Sequence, residues 1–186
     1  PKPLFEKLSK KKIDWKRVII IPTDERFVPE YHERSNSGFI RNTLLKNQAG
    51  SAKLMSFSKS NCSVNELAKR IALDLKPILP IDICILGMGV DKHTASIFPH
   101  ADKIKDALEL NNPNILIPIT VPVTNEVRLT LTANVLREAF RTYLILTGLE
   151  KKEALDFALK GEDSWETAPV KSVLYSENNV QIHYAD

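Results

Sequence analysis

Two short polar clusters in this sequence hold residue types suited to acid–base and anion chemistry. One is Gly87-Met88-Gly89-Val90-Asp91-Lys92-His93-Thr94-Ala95-Ser96, directly after an apolar run. Imidazole titrates at about pH 6.5, so His93 is the natural general base of this cluster. Asp91 is close enough in sequence to orient or polarise it. Gly87 and Gly89 let the backbone turn sharply and present N–H groups. Thr94-Ala95-Ser96 reads as the start of a helix whose free N–H groups face the same pocket. Taken singly, a GxG marks an ordinary turn and a lone histidine is more often structural. Strand, GxG, Asp and His in succession are more specific.

The other cluster is Pro22-Thr23-Asp24-Glu25-Arg26-Phe27-Val28-Pro29, read as a loop at a strand end. The forked donors of Arg26 suit an anionic oxygen. Asp24 can accept a sugar hydroxyl or orient a base. The plainer alternative is a solvated turn with an Asp/Arg surface pair, which contributes little. A further element, Gly148-Leu149-Glu150-Lys151, puts a lysine where a helix N-terminus already favours anions; by itself it reads as an exposed helix lysine. Of the other histidines, His32 follows the Asp24 cluster, and His100 and His183 have no partner pattern. The sequence has no HxxxH, HExxH or paired-Cys spacing, so neither a metal nor another cofactor is expected. It also lacks a Walker A motif and a GxSxG elbow.

The elements that must hold these clusters alternate between strand and helix. Residues 17–21 are a β-branched run without polar alternation, as in a strand buried on both faces, and residues 81–86 are another apolar strand candidate, ending at Gly87. Residues 115–119, 127–131 and 143–146 are further strand candidates, and 54–57 a short one. Helices are expected at the N-terminus, over 36–46, from Ser63 to about Leu75, over 133–140 and over 150–160. Ser63 and Glu66 have the spacing of a capping box. Val170–Tyr175 and Val180–Tyr184 close the chain. The alternation indicates an α/β fold with a mostly parallel sheet flanked by helices. In such sheets ligands bind beyond the carboxyl ends of strands, where both clusters fall.

With 186 residues, 43% hydrophobic and 26% charged, the chain suits one domain over 1–186 and has enough apolar material for a core. No apolar run approaches the roughly 18 residues a membrane span needs. Cys62 and Cys84 cannot make a disulfide framework, so a reduced, intracellular setting is expected. A net charge of +3 allows an anionic substrate but is too small to indicate nucleic acid.

Together and in this order, the motifs resemble the 6-phosphogluconolactonase family. Thr23–Pro29 followed by Ser35-Asn36 resembles its first signature, and Leu86–Pro99 its second. Arg128-Leu129-Thr130-Leu131-Thr132 followed by Gly148–Lys151 resembles its third. The continuation Thr94-Ala95-Ser96-Ile97-Phe98-Pro99 separates this pattern from the glucosamine-6-phosphate deaminases, where Ile-Ala-Phe-Asn follows the shared core. The resemblance implies a Rossmann-like sheet of the deaminase and ribose-isomerase type. It implies hydrolysis of 6-phospho-D-glucono-1,5-lactone to 6-phosphogluconate, in the oxidative pentose phosphate pathway. By position, it makes His93 the base that activates water and Asp91 its support. Arg26 and Lys151 would hold the phosphate, Asp24 would shape the sugar site, and Arg128 would reach the substrate. Gly87 and Gly89 belong to the same binding loop.

The sequence departs from the family pattern in two places. Lys92 stands where the pattern has glycine; at a positive φ, a lysine costs on the order of 1 kcal/mol. The pattern also begins earlier, with a strand, a helix and a Ser-Gly-Gly-Ser-Thr-Pro phosphate loop whose last residue matches Pro1. Without them an open sheet edge is expected, with weak or no lactonase activity and self-association over the exposed sheet. The competing readings are a deaminase-like enzyme and an inactive sugar-phosphate-binding homologue.

Overall fold

In a computed structural model, which describes residues 1–161 and 163–186, local capping chemistry marks the main helix starts. Ser63 caps α3 (Val64–Leu75) with both arms of the capping box formed to Glu66. Leu67, Ile71 and Leu75 recur at helical spacing and are buried, and α3 packs on β5 (Leu116–Thr120). Each such side chain contributes about 1.5–3 kcal/mol by leaving water. The Ser35 side chain caps α2 (Asn36–Thr43) by accepting the Gly38 N–H at 3.0 Å. Gly148, at φ 89, opens α6 (Leu149–Lys160). The remaining helices are α1 (Lys2–Leu8), α4 (Ile104–Leu108), α5 (Ala133–Arg137) and α7 (Lys171–Leu174).

The strands form three sheets. β1 (Ile19–Ile20) pairs in parallel with β3 (Lys53–Leu54). β4 (Ile83–Leu86), β7 (Arg141–Thr147) and β8 (Asn179–Ala185) form a parallel sheet in that order. β2 (Asp24–Arg26), β6 (Val127–Leu131) and β5 form an antiparallel sheet with β6 central. The α/β architecture with mostly parallel pairing therefore holds, with an antiparallel sheet added. Apolar residues of α3, β4, β5, β6 and β7 share one core that includes Leu67, Leu86, Ile119, Leu131 and Leu144. A separate cluster gathers Trp15, Ile40, Leu44 and Ala49 under Phe5 and Leu8 of α1.

Three local expectations are corrected. The Asp24 cluster is a strand, because β6 supplies a pairing partner about a hundred residues away in sequence. Thr94-Ala95-Ser96 does not start a helix: Ala95 lies at φ 49 and a bridge between Thr94 and Ile97 closes a tight turn. The run around Ile19 is not buried on both faces: Ile19 is 42% exposed, and Ile83 on β4 is 58% exposed. They line an apolar groove of about 640 Å³ between β1 and β4, the two strand edges left unpaired there. Of the two closing segments, the first forms α7 and the second forms β8.

Candidate active site

Strand pleating sorts the first cluster. Side chains alternate across a strand, so Asp24 and Arg26 share one face of β2 and Glu25 takes the other. In the register with β6, Asp24 lies opposite Thr130 and Arg26 opposite Arg128, which brings four polar side chains onto one face. Glu25 is fully buried and its carboxylate accepts four hydrogen bonds. The Arg26, Asn36 and Ser37 N–H groups donate at 2.9, 2.7 and 2.6 Å, and the Ser35 hydroxyl donates at 3.1 Å. A carboxylate at a helix N-terminus satisfies amides that α2 cannot pair internally. This anchor fixes Asn36 beside the strand. Asn36 Nδ2 donates to the Asp24 carbonyl and carboxylate at 2.8 and 3.2 Å, and its Oδ1 accepts from Arg26 Nη1 at 2.7 Å.

The second cluster meets the first through Ser96. Its hydroxyl donates to Asp24 Oδ2 at 2.6 Å, and its N–H donates to the Thr130 hydroxyl at 3.2 Å. Arg128 reaches Ser96 Oγ at 3.5 Å and places its guanidinium 5.2 Å from the centre of the Phe98 ring. The His93 ring stacks on Phe98 with centroids 3.9 Å apart. An unbroken chain of contacts thus runs from His93 through Phe98, Arg128, Ser96 and Asp24 to Asn36 and Arg26.

His93 Nδ1 lies 2.5 Å from Asp91 Oδ1. With Nδ1–H donating to the carboxylate, the lone pair sits on Nε2, the arrangement a general base requires. Burial pushes the Asp91 carboxyl up, but the hydrogen bond and charge of His93 outweigh it and hold it below its ordinary value of 3.8. Gly89 is required by packing: a Cβ there would collide with the Asp91 carboxylate and the His93 ring. Its N–H donates to the His93 carbonyl at 3.1 Å, closing the turn that presents the pair. At Gly87 a Cβ would meet only the Ile145 carbonyl, at 3.9 Å.

The cations differ in how far their charge is spent. Glu126 holds both Arg128 at 2.9 Å and Arg34 at 2.8 Å. Arg26 donates through Nη1 only to the Arg34 carbonyl and Asn36 Oδ1, and its Nε is buried without a hydrogen-bond partner. Among the described residues neither Arg26 nor Lys151 forms an ion pair within 4.0 Å. Lys151 lies in the first turn of α6, after the carboxyl end of β7. The structure joins Asp24, Arg26, Arg128, Asp91 and His93 by contacts, whereas no hydrogen bond or ion pair links Lys151 to them. Lys92 adopts φ 67, and its ammonium is paired with Asp163 at 2.8 Å.

Sequence reasoning missed the roles of Glu25, Ser96, Phe98 and Glu126. A period-two reading of Asp24-Glu25-Arg26 was the available signal for Glu25. Ser96 meets distant partners, Asp24 and Thr130, while Phe98 and Glu126 each join a near neighbour, His93 and Arg128, to a distant arginine. Among the described residues, no group of three or more His, Cys, Asp or Glu side chains is arranged to hold a metal ion, and no helix is long and apolar enough to cross a membrane.

Comparison with known proteins places this arrangement in context. Residues 1–182 match the family model described as glucosamine-6-phosphate isomerases/6-phosphogluconolactonase. A protein of Rhizobium meliloti (strain 1021) named 6-phosphogluconolactonase is 35% identical over 188 residues, covering 100% of this chain and 80% of that protein. A protein of the same name from Neisseria meningitidis serogroup A is 35% identical over 190 residues, covering 100% of this chain and 81% of its own length. Among solved structures, a 6-phosphogluconolactonase from Shewanella baltica OS155 superposes with a TM-score of 0.92 at 30% identity, covering 100% of this chain and 79% of that one.

Proposed function

Since the chain belongs to the glucosamine-6-phosphate isomerase/6-phosphogluconolactonase family, we propose that it hydrolyses 6-phospho-D-glucono-1,5-lactone to 6-phosphogluconate, the lactonase step of the oxidative pentose phosphate pathway. The observation that carries the reading is the Asp91–His93 pair, with Nδ1 committed to the carboxylate at 2.5 Å and Nε2 left to accept a proton. Relatives bearing the lactonase name support the same choice.

In this reading His93 Nε2 takes a proton from a water molecule as the water oxygen bonds to the lactone carbonyl carbon. The carbonyl electron pair moves onto oxygen, giving a tetrahedral oxyanion. When the pair returns, the bond from that carbon to the ring oxygen breaks. The imidazolium delivers its proton to the ring oxygen, which becomes a hydroxyl, and the new carboxylic acid ionises. Asp91 holds the ring in its working tautomer and stabilises the imidazolium. Arg26, whose charge is unspent, binds the phosphate. Lys151 is the second cation offered to it from the start of α6. Asp24 and Arg128 meet the sugar hydroxyls. Binding the remote phosphate positions the ester for attack.

The test follows lactone loss and acid release in a pH-stat, against the spontaneous rate, with 6-phosphogluconolactone freshly generated. Acceleration that disappears in His93→Ala supports the reading. Ammonia release from glucosamine 6-phosphate, with no acceleration of lactone opening, would assign the deaminase chemistry instead.

A further inference from the structure

Lys92 is the residue of the catalytic turn whose backbone and side chain are both unusual. At φ 67 it lies in the left-handed region that lysine seldom adopts. It lies between Asp91 and His93, so its backbone conformation sets where both side chains of the pair emerge. Its N–H donates to the Gly89 carbonyl at 3.0 Å and its own carbonyl accepts the Val170 N–H at 3.1 Å. Its side chain leaves the site altogether. The ammonium donates to Asp163 Oδ2 at 2.8 Å, with both side chains 17% exposed, and lies 4.9 Å from the centre of the Phe157 ring on α6.

The other end of this link is itself held. The nearly buried Lys171 donates from α7 to the carbonyls of Gly161 and Asp163 at 3.1 and 2.7 Å. Asp163 therefore sits on backbone pinned from α7, while Phe157 belongs to the last turns of α6. A segment reaching from α6 to α7 grips residue 92 by its carbonyl, its charge and its alkyl-ammonium face.

We propose that Lys92 is a positioning residue for His93: through Asp163 and Phe157 it ties the Asp91–His93 turn to the segment between α6 and α7, and so holds the imidazole in its working orientation. An exposed ion pair is worth little, but this one is mostly shielded from solvent and is backed by an aromatic ring. The left-handed backbone favours glycine, and the side-chain contacts are what a lysine adds there in return. The consequence rests on the lactonase reading: a misplaced base affects the chemical step, while phosphate binding at Arg26 is untouched.

The experiment compares the full chain with Lys92→Gly, Lys92→Met, Asp163→Asn and the Lys92→Met/Asp163→Asn pair. Lactonase kcat and KM are measured together with the NMR chemical shift of His93 Cε1–H and the thermal midpoint. Glycine relieves the backbone strain, so Lys92→Gly keeps or raises the thermal midpoint while kcat falls by about tenfold at unchanged KM. Lys92→Met and Asp163→Asn lower kcat to a similar extent, and the double variant loses no more than either single one. Lys92→Arg, which keeps the charge, recovers much of the rate. All variants lacking the tether move the His93 resonance the same way. An unmoved resonance and an unchanged kcat in Lys92→Met and Asp163→Asn would overturn the proposal. So would rate losses that merely follow losses of thermal stability. A wild-type chain that bound phosphorylated ligand without turnover would remove the lactonase reading alone, because the resonance still decides whether the tether acts on His93.

Discussion

Arg26 and Arg128 lie directly opposite each other across an antiparallel strand pair, yet only Arg128 is neutralised by a carboxylate. Glu126 takes the charge of Arg128, while Arg26 is held in place by neutral acceptors, the Arg34 carbonyl and Asn36 Oδ1. Two like charges across a ladder destabilise it unless something compensates. Here the compensation is one-sided: among the described residues Arg128 is a paired cation and Arg26 an unpaired one, which in the proposed site leaves Arg26 for the phosphate. Arg26→Ala should therefore raise KM for 6-phosphogluconolactone by about ten- to a hundredfold with little change in kcat. Unphosphorylated gluconolactone, assayed in parallel, should show almost no difference between wild type and variant. Equal losses on both substrates would remove Arg26 from phosphate binding.

The glycines of the catalytic turn are not equivalent. A methyl group at Gly89 runs into Asp91 and His93, whereas one at Gly87 makes only an ordinary contact. Gly89→Ala should abolish most of the activity, and Gly87→Ala should keep it within a few-fold. Steady-state assays on the two folded variants check this.

Glu25 contributes to stability rather than chemistry. Removing its carboxylate strands several donors in a fully buried site. Glu25→Ala should cost about 3 kcal/mol or more in urea unfolding. Glu25→Gln keeps the volume but turns an amide N–H₂ toward other donors, so it should also be destabilising.

Thiol chemistry distinguishes the two cysteines. Burial pushes the Cys84 thiol up to about 12, so it stays protonated and shielded. Cys62 is half-buried in a loop next to Ser60. A disulfide reagent at neutral pH should titrate a single thiol in the native protein and a second one only after unfolding.

Acid stability follows from Asp91. Its carboxyl is held below its ordinary value of 3.8 in the folded chain. A depressed carboxylate adds stability that is fully present above that value and is lost as pH falls through the folded-state value. The wild-type and Asp91→Asn thermal midpoints should differ near neutrality and converge as pH drops below about 4. A gap that persisted or widened in acid would contradict the pairing of Asp91 with His93.

How much of this was legible in the sequence depended on the distance over which each signal acts. Ser63 and Glu66 announce α3 because a capping box is complete within four residues. The alternation of Val127–Leu131 gave β6 its correct limits. The pairing of Asp91 with His93 is legible because the two residues lie within one turn. Asp24-Glu25-Arg26 was read as a loop, because its strand character comes from β6 and its buried glutamate from the distant start of α2. Ser96 was taken for a helix start; its geometry is set by Asp24 and Thr130, from two other strands. The run at 17–21 reads as doubly buried because composition reports apolarity and not whether a neighbour lies alongside. The glycine of the family pattern raises the question of a positive φ at Lys92 without answering it, and its partner Asp163 is separated from it by all of β5, β6, β7 and α6.

The most direct test of the account is the pre-steady-state rate of lactone opening in the wild type, His93→Ala and Asp91→Asn, with binding of 6-phosphogluconate measured on the same samples. The expected result is a loss of roughly 10²–10⁴-fold in the rate for His93→Ala, a smaller loss for Asp91→Asn, and product affinity within a few-fold of wild type in both. Full-speed hydrolysis by His93→Ala would contradict the assignment of the imidazole as the base.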